Sequence, residues 1–129
     1  MPVETDEQAL NHLSQRVIGS ALTVTNVLGA GFAEKVYENA LAHELRKSGL
    51  SVLQQRDITV WYDGVVVGDY AVDLLVEDAL LVELKAVKAL DVAHRAQCLN
   101  YLRATGLHLC ILINFGTPRL EFKRVVNQL

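Results

Sequence analysis

The sequence predicts a single α/β domain over residues 1–129, with helices flanking a mixed β-sheet. Two helical periodicities open the chain, and a strand periodicity replaces them from Asp57. One further helical segment then sits between aliphatic runs. The order ααβββαββ combines a hairpin meander with one helical crossover, the pattern of a sheet layered with helices.

The first helix is expected from Asp6 to Val27. Leu10, Leu13, Val17, Ala21, Val24 and Leu28 recur at helical intervals, and Thr5 with Gln8 has capping-box spacing. Gly29-Ala30-Gly31 ends it. A second helix is expected from Ala33 to Lys47, with Val36, Ala40, Leu41 and Leu45 on its apolar side and Gly49 at C′. The strands DITVWY (57–62) and VVVGDYAVDLLV (65–76) flank Asp63-Gly64, a type I′ turn signal, and Gly68 marks a bulge. After a polar break at Glu77-Asp78-Ala79 comes a third strand, LLVELKAV (80–87). Asp91 reads as the N-cap of a third helix that ends near Thr105, before Gly106. LHLCILINF (107–115) has the continuous apolar character of a strand buried on both faces, and LEFKRVV (120–126) alternates as a last strand.

Hydrophobic residues make up 51% of the chain and charged residues 21%, a globular balance. The formal net charge of −3 lacks the basic excess of a protein that holds nucleic acid mainly by its phosphates. Cys98 and Cys110 lie inside apolar segments, so buried free thiols in a reducing cytoplasm are expected. Neither a basic n-region with an apolar stretch nor a membrane-length apolar window occurs, so no secretory signal and no membrane partner are expected.

The third strand poses a chemical question. In LLVELKAVK, Glu83 and Lys85 share a face of an otherwise aliphatic strand. Burying a charge without a partner is costly. A turn centred on Asp78 sets Asp73, five residues before it, opposite Glu83, five residues after it, or within one position of it. Like charges directly across a strand pair destabilise the sheet unless something neutralises them. Lys85 can do part of this. A divalent cation does more, because hard cations favour carboxylate oxygens. A solvated strand pair is the simpler alternative, but Leu75 and Leu81 fall on the same expected face.

Asp73, nine residues and then Glu83-Leu84-Lys85 resemble the core motif of the PD-(D/E)xK nuclease superfamily. Gln97 and Tyr101, four apart on one helix face, resemble the QxxxY motif of its RecB-type members. Gly31, Glu34 and Tyr37 in GFAEKVYENAL resemble the GxxExxY family, a small prokaryotic group in the same superfamily. The resemblance runs from about Ile18 to Val126, with Val72 where the superfamily's name has proline.

The resemblance implies a restriction-endonuclease-like αβββαβ core with an extra N-terminal helix. It further implies a metal-dependent nuclease acting on nucleic acid, DNA rather than RNA. Asp73, Glu83 and the backbone carbonyl of Leu84 would hold Mg²⁺ or Mn²⁺, with Glu34 as a further ligand or the holder of a metal-bound water. Lys85 would position the attacking water or stabilise the phosphate, and Gln97 and Tyr101 would orient Lys85 or contact the scissile phosphate. Lys88 and Arg95 are basic candidates for phosphate contacts, and His94 either caps the third helix or joins the site. The alternatives are a non-catalytic nucleic-acid- or protein-binding module on the same scaffold, and a homodimer whose surface includes Trp61 or Tyr62.

Overall fold

A computed structural model describes residues 6–128. The chain forms α1 (Asp6–Leu28), α2 (Glu34–Lys47), β1 (Val52–Tyr62), β2 (Val65–Val76), β3 (Leu80–Lys85), α3 (Val92–Thr105), β4 (Leu109–Asn114) and β5 (Glu121–Val126). The strands lie in the order β1-β2-β3-β4-β5. β3 and β4 are parallel, joined by the α3 crossover, and every other neighbouring pair is antiparallel. The sheet is therefore mixed, as the sequence predicts.

Helices cover both faces, which makes three layers. Val17, Ala21, Leu41 and Leu45 of α1 and α2 pack on Val76, Leu80, Val82, Leu84, Ile111 and Ile113. Cys98 and Leu102 of α3 pack on Leu75, Leu81, Cys110 and Leu112 on the other face. Strict alternation in β3 divides its side chains between these cores. Leu80, Val82 and Leu84 face α1 and α2, and Leu81 faces α3. Alternation sends Glu83 and Lys85 to the α3 side with Leu81.

The turns follow their sequence signals. Asp63 (φ 52°) and Gly64 (φ 74°) both occupy the left-handed region that a type I′ turn requires. Val60 pairs with Gly68 and Trp61 with Val66, so Val67 is the extra residue of a bulge beside Gly68. At the end of α2, Leu50 N–H donates to Leu45 C=O and Gly49 N–H to Arg46 C=O, a Schellman closure. Both cysteines are buried and free.

Several boundaries differ from expectation. β1 begins at Val52 rather than Asp57, because its first residues pair with the far end of β2, from Val52↔Val76 to Gln54↔Leu74. β3 stops at Lys85 rather than Val87, since the side chain of Asn114 takes both the N–H and the C=O of Val87. The buried stripe of α2 is Tyr37, Leu41, Ala42 and Leu45, while Val36 is 39% exposed. The expected Thr5 cap lies outside the described residues.

Candidate active site

The β2–β3 ladder closes at three positions, Leu74↔Val82, Leu75↔Leu81 and Val76↔Leu80, around a tight turn. This is the register expected from a turn centred on Asp78. One step further along, backbone pairing gives way to side chains. The amide of Asp73 donates to Glu83 Oε1 at 3.0 Å, and the amide of Leu84 donates to Asp73 Oδ2 at 2.7 Å. The strands part here, and two carboxylates occupy the gap. Face alternation in β2 also breaks at this point: Leu74 and Val76 pack in the α1–α2 core, yet Val72 packs with α3. Gln55, flanked by the pairs Gln54↔Leu74 and Arg56↔Val72, has φ 55°, a left-handed conformation within the neighbouring strand.

Asp73 is 9% exposed and Glu83 4%. Burial pushes the Glu83 carboxyl up to about 8, and the negative charge of Asp73 adds to the shift, against a smaller opposing pull from Lys85. Lys85 Nζ lies 3.6 Å from Glu83 Oε2 and donates to Gln97 Oε1 at 3.2 Å. The amide of α3 thus aims the lysine. Tyr101, one helical turn further on, is buried, with its ring 6.0 Å from that of Tyr70. Burial, followed by the charges of Glu83 and Asp73, raises its hydroxyl to about 12, so it stays protonated and can donate. Glu34 is exposed at the start of α2. Its carboxyl is raised by partial burial and then by the charge of Asp73, with Lys85 pulling the other way. Glu34 therefore lies within electrostatic reach of Asp73 and Lys85.

Three supporting residues went unrecognised in the sequence. Glu38, 3% exposed, accepts from Lys35 Nζ, Gln54 Nε2 and Gln55 Nε2. Gln55 Nε2 also donates to Asp73 Oδ1 at 3.1 Å, linking α2 to the carboxylate pair through β1. Glu38 lies four residues after Glu34 on the same helix face, a spacing that could have exposed it. Gln55 carries no comparable signal. Asn114 is fully buried at the end of β4, where Oδ1 accepts from the amides of Val87 and Gly116 and Nδ2 donates to Val87 C=O. It holds the segment that leaves Lys85.

The GxxExxY spacing also acquires a physical account. Gly31 has φ 114°, which a side chain would strain. Tyr37 is fully buried, its ring stacked 4.7 Å from that of Phe115, and its hydroxyl donates to Gly29 C=O at 2.5 Å while accepting the amide of Phe32. The tyrosine pins the loop that the glycine bends, and the glutamate between them is presented to the site. His94 completes a capping box with Asp91, accepting the Asp91 amide through Nδ1. Lys88 and Arg95 are solvent-exposed.

A family model described as the PD-(D/E)XK nuclease superfamily matches residues 11–125, nearly the whole chain. The chain belongs to the PD-(D/E)XK nuclease superfamily. No curated protein matches its sequence. Among solved structures, that of SSO0001 is similar with a TM-score of 0.57 and 17% identity, covering 74% of this chain and 50% of the other. The chain thus spans half the length of SSO0001. An alkaline exonuclease (LHK-Exo) from Laribacter hongkongensis has a TM-score of 0.49 and 16% identity, with 89% of this chain and 80% of the other covered. The SSO0001 likeness bears on the fold, a mixed sheet between helices of restriction-endonuclease-like form.

Members of the PD-(D/E)XK superfamily generally use divalent metals, and this donor set fits one. Asp73 and Glu83 offer hard carboxylate oxygens, and their mutual repulsion is what a divalent charge would relieve. Among the described residues no three His, Cys, Asp or Glu side chains gather as a metal-holding group. Asp73 and Glu83 would be acidic donors to an ion, with backbone and water helping to complete the shell. No helix among the described residues is long and apolar enough to cross a membrane.

Proposed function

We propose that this PD-(D/E)XK chain is a divalent-metal-dependent nuclease of the GxxExxY type that hydrolyses phosphodiester bonds in DNA. The observation that carries the reading is the buried Asp73–Glu83 pair in the strand gap with Lys85 Nζ beside it, 3.6 Å from Glu83. A structural ion pair would need one carboxylate for one lysine. Two buried carboxyls beside one lysine leave the second without a cationic partner, and burial holds a proton on it that a bound cation would replace.

Asp73, Glu83 and the Leu84 carbonyl would hold Mg²⁺ or Mn²⁺, which supplies positive charge to the phosphate and acidifies water beside it. Lys85, fixed by Gln97, holds its ammonium toward the non-bridging oxygens that gain charge in the transition state. Tyr101, kept neutral, serves as a hydrogen-bond donor beside it. Glu34 would add a further ligand or hold a metal-bound water.

The test is cleavage of labelled single-stranded and duplex DNA, with RNA for comparison, in Mg²⁺ or Mn²⁺. Wild type is expected to cut, and Asp73→Ala and Lys85→Ala are expected to fall to background. Cleavage that survives both substitutions overturns the assignment.

A further inference from the structure

A cleft of about 810 Å³ opens between α3 and the β1–β2 ribbon. Its walls include Trp61, Tyr70, Gln97, Asn100, Tyr101 and Arg103. Two of these, Gln97 and Tyr101, also belong to the candidate active site, so the cleft runs out of that site along α3. From Gln97 to Ala104 it follows about 10 Å of helix.

The chemistry of the walls is unusual for a protein surface. Trp61 is 63% exposed and Tyr70 53%, so both residues offer aromatic surface to the cleft. Gly68 keeps space beside one of them, since a Cβ there would lie 3.0 Å from the Tyr70 ring. The polar lining includes Thr59 and the amides of Asn100 and Gln97, and Arg103 is the one charged lining residue among those described. Among the described residues no carboxylate lines the cleft. Aromatic faces, amide donors and a cation suit a flexible polyanion with flat bases. A duplex hides its bases and is held through many phosphates, for which a chain of net charge −3 offers few cations. Base stacking on aromatic side chains needs far fewer cations.

We infer that this cleft is the substrate-strand channel of the site and takes single-stranded DNA, its unpaired bases stacking on Trp61 and Tyr70. The inference rests on the nuclease reading for the direction of the strand, and it narrows the substrate from DNA in general to DNA with an unpaired segment. It also predicts a shallow dependence of binding on salt, because few phosphates are neutralised.

The experiment measures fluorescence anisotropy of a labelled oligodeoxythymidylate in EDTA, where metal-dependent cleavage is silent, against a blunt duplex of equal length. Wild type is expected to prefer the single strand. Trp61→Ala is expected to weaken that binding about tenfold, the loss of one stacked base. Asn100→Glu, an exposed helical position that tolerates substitution, is expected to weaken it through charge. Equal or tighter binding of the duplex, or full affinity in both variants, overturns the channel. So does a wild-type dimer, seen by light scattering, that Trp61→Ala dissolves without any strand binding. Separate outcomes distinguish the two readings. A strand held through Trp61 by a chain that never cuts in Mn²⁺ keeps the channel and removes the nuclease. Cutting with no preference for unpaired strands does the reverse.

Discussion

Asp73 and Glu83 face one another across the point where β2 and β3 part, joined by a bond from the Asp73 amide to Glu83 Oε1 at 3.0 Å. Each carboxylate accepts a backbone N–H at the opening, the Leu84 amide going to Asp73. The sheet thus opens without orphaning those two donors, and two acids are held where neither is well solvated. This one relationship has consequences for acid–base behaviour, metal response and mutation.

The first concerns pH. Burial raises Glu83 to about 8 in the fold, from an ordinary 4.5. The native state therefore holds a proton that the unfolded chain releases, and stability falls as pH rises between those two values. Thermal unfolding in EDTA is expected to show a falling Tm from about pH 5 to about pH 8. Glu83→Gln should flatten that slope and raise Tm at the alkaline end while abolishing cleavage.

Metal should act in the opposite sense. A cation that binds only the folded pair stabilises by mass action, about 2.7 kcal/mol at a concentration a hundred times Kd. Mn²⁺ is expected to raise Tm more at about pH 8 than at about pH 5, because protons compete for the same oxygens. Asp73→Asn should remove most of the shift. An equal Mn²⁺ shift in that variant would place the ion elsewhere.

Gln97 is expected to be a positioning residue. Gln97→Ala frees Lys85 Nζ from its 3.2 Å bond, and a misplacement of about 1 Å can cost up to about 100-fold in rate. The loss should appear in kcat, with little change in Tm, since Gln97 is only half-buried. Loss confined to KM would assign the residue to substrate binding instead.

Gly116 should tolerate no side chain. A Cβ there would lie 2.3 Å from the Val87 carbonyl and 2.4 Å from its nitrogen, both backbone atoms that Asn114 grips. Gly116→Ala is expected to destabilise by about 3 kcal/mol or more, or to displace the segment after Lys85. Denaturant unfolding measures the first outcome, and lost cleavage with retained fold reports the second.

Tyr37→Phe keeps the Phe115 stack but removes the hydroxyl that bridges Gly29 and Phe32. Buried partners left unpaired cost about 1–3 kcal/mol. Cleavage should fall beyond what stability explains, because the loop that presents Glu34 loses its anchor. Unchanged activity at reduced stability would make the tyrosine purely structural.

Much of this site was legible along the chain because its determinants are local. The register that faces Asp73 with Glu83 follows from one short turn, and the ladder Leu74↔Val82 bears it out. The cap at Asp91 and the stop at Gly106 frame α3, whose helical period sets Gln97 and Tyr101 on one side. Less legible was the apolar face of α2, where Val36 reads as core and is exposed. Simple periodicity could not foresee that Tyr37 would fill that space against Phe115, a contact far along the chain.

What the sequence determined by itself is the alternation that gives Glu83 and Lys85 one face, the hairpin that brings Asp73 to them, and the helix that follows. Each depends on backbone geometry within a few residues. Only the tertiary structure decided that the strands part at Asp73, that Gln55 and Glu38 reach it from β1 and α2, and that Asn114 secures the exit from Lys85. Those are choices among donors and acceptors distant in sequence. They are settled by which buried polar groups can satisfy one another once both cores have closed.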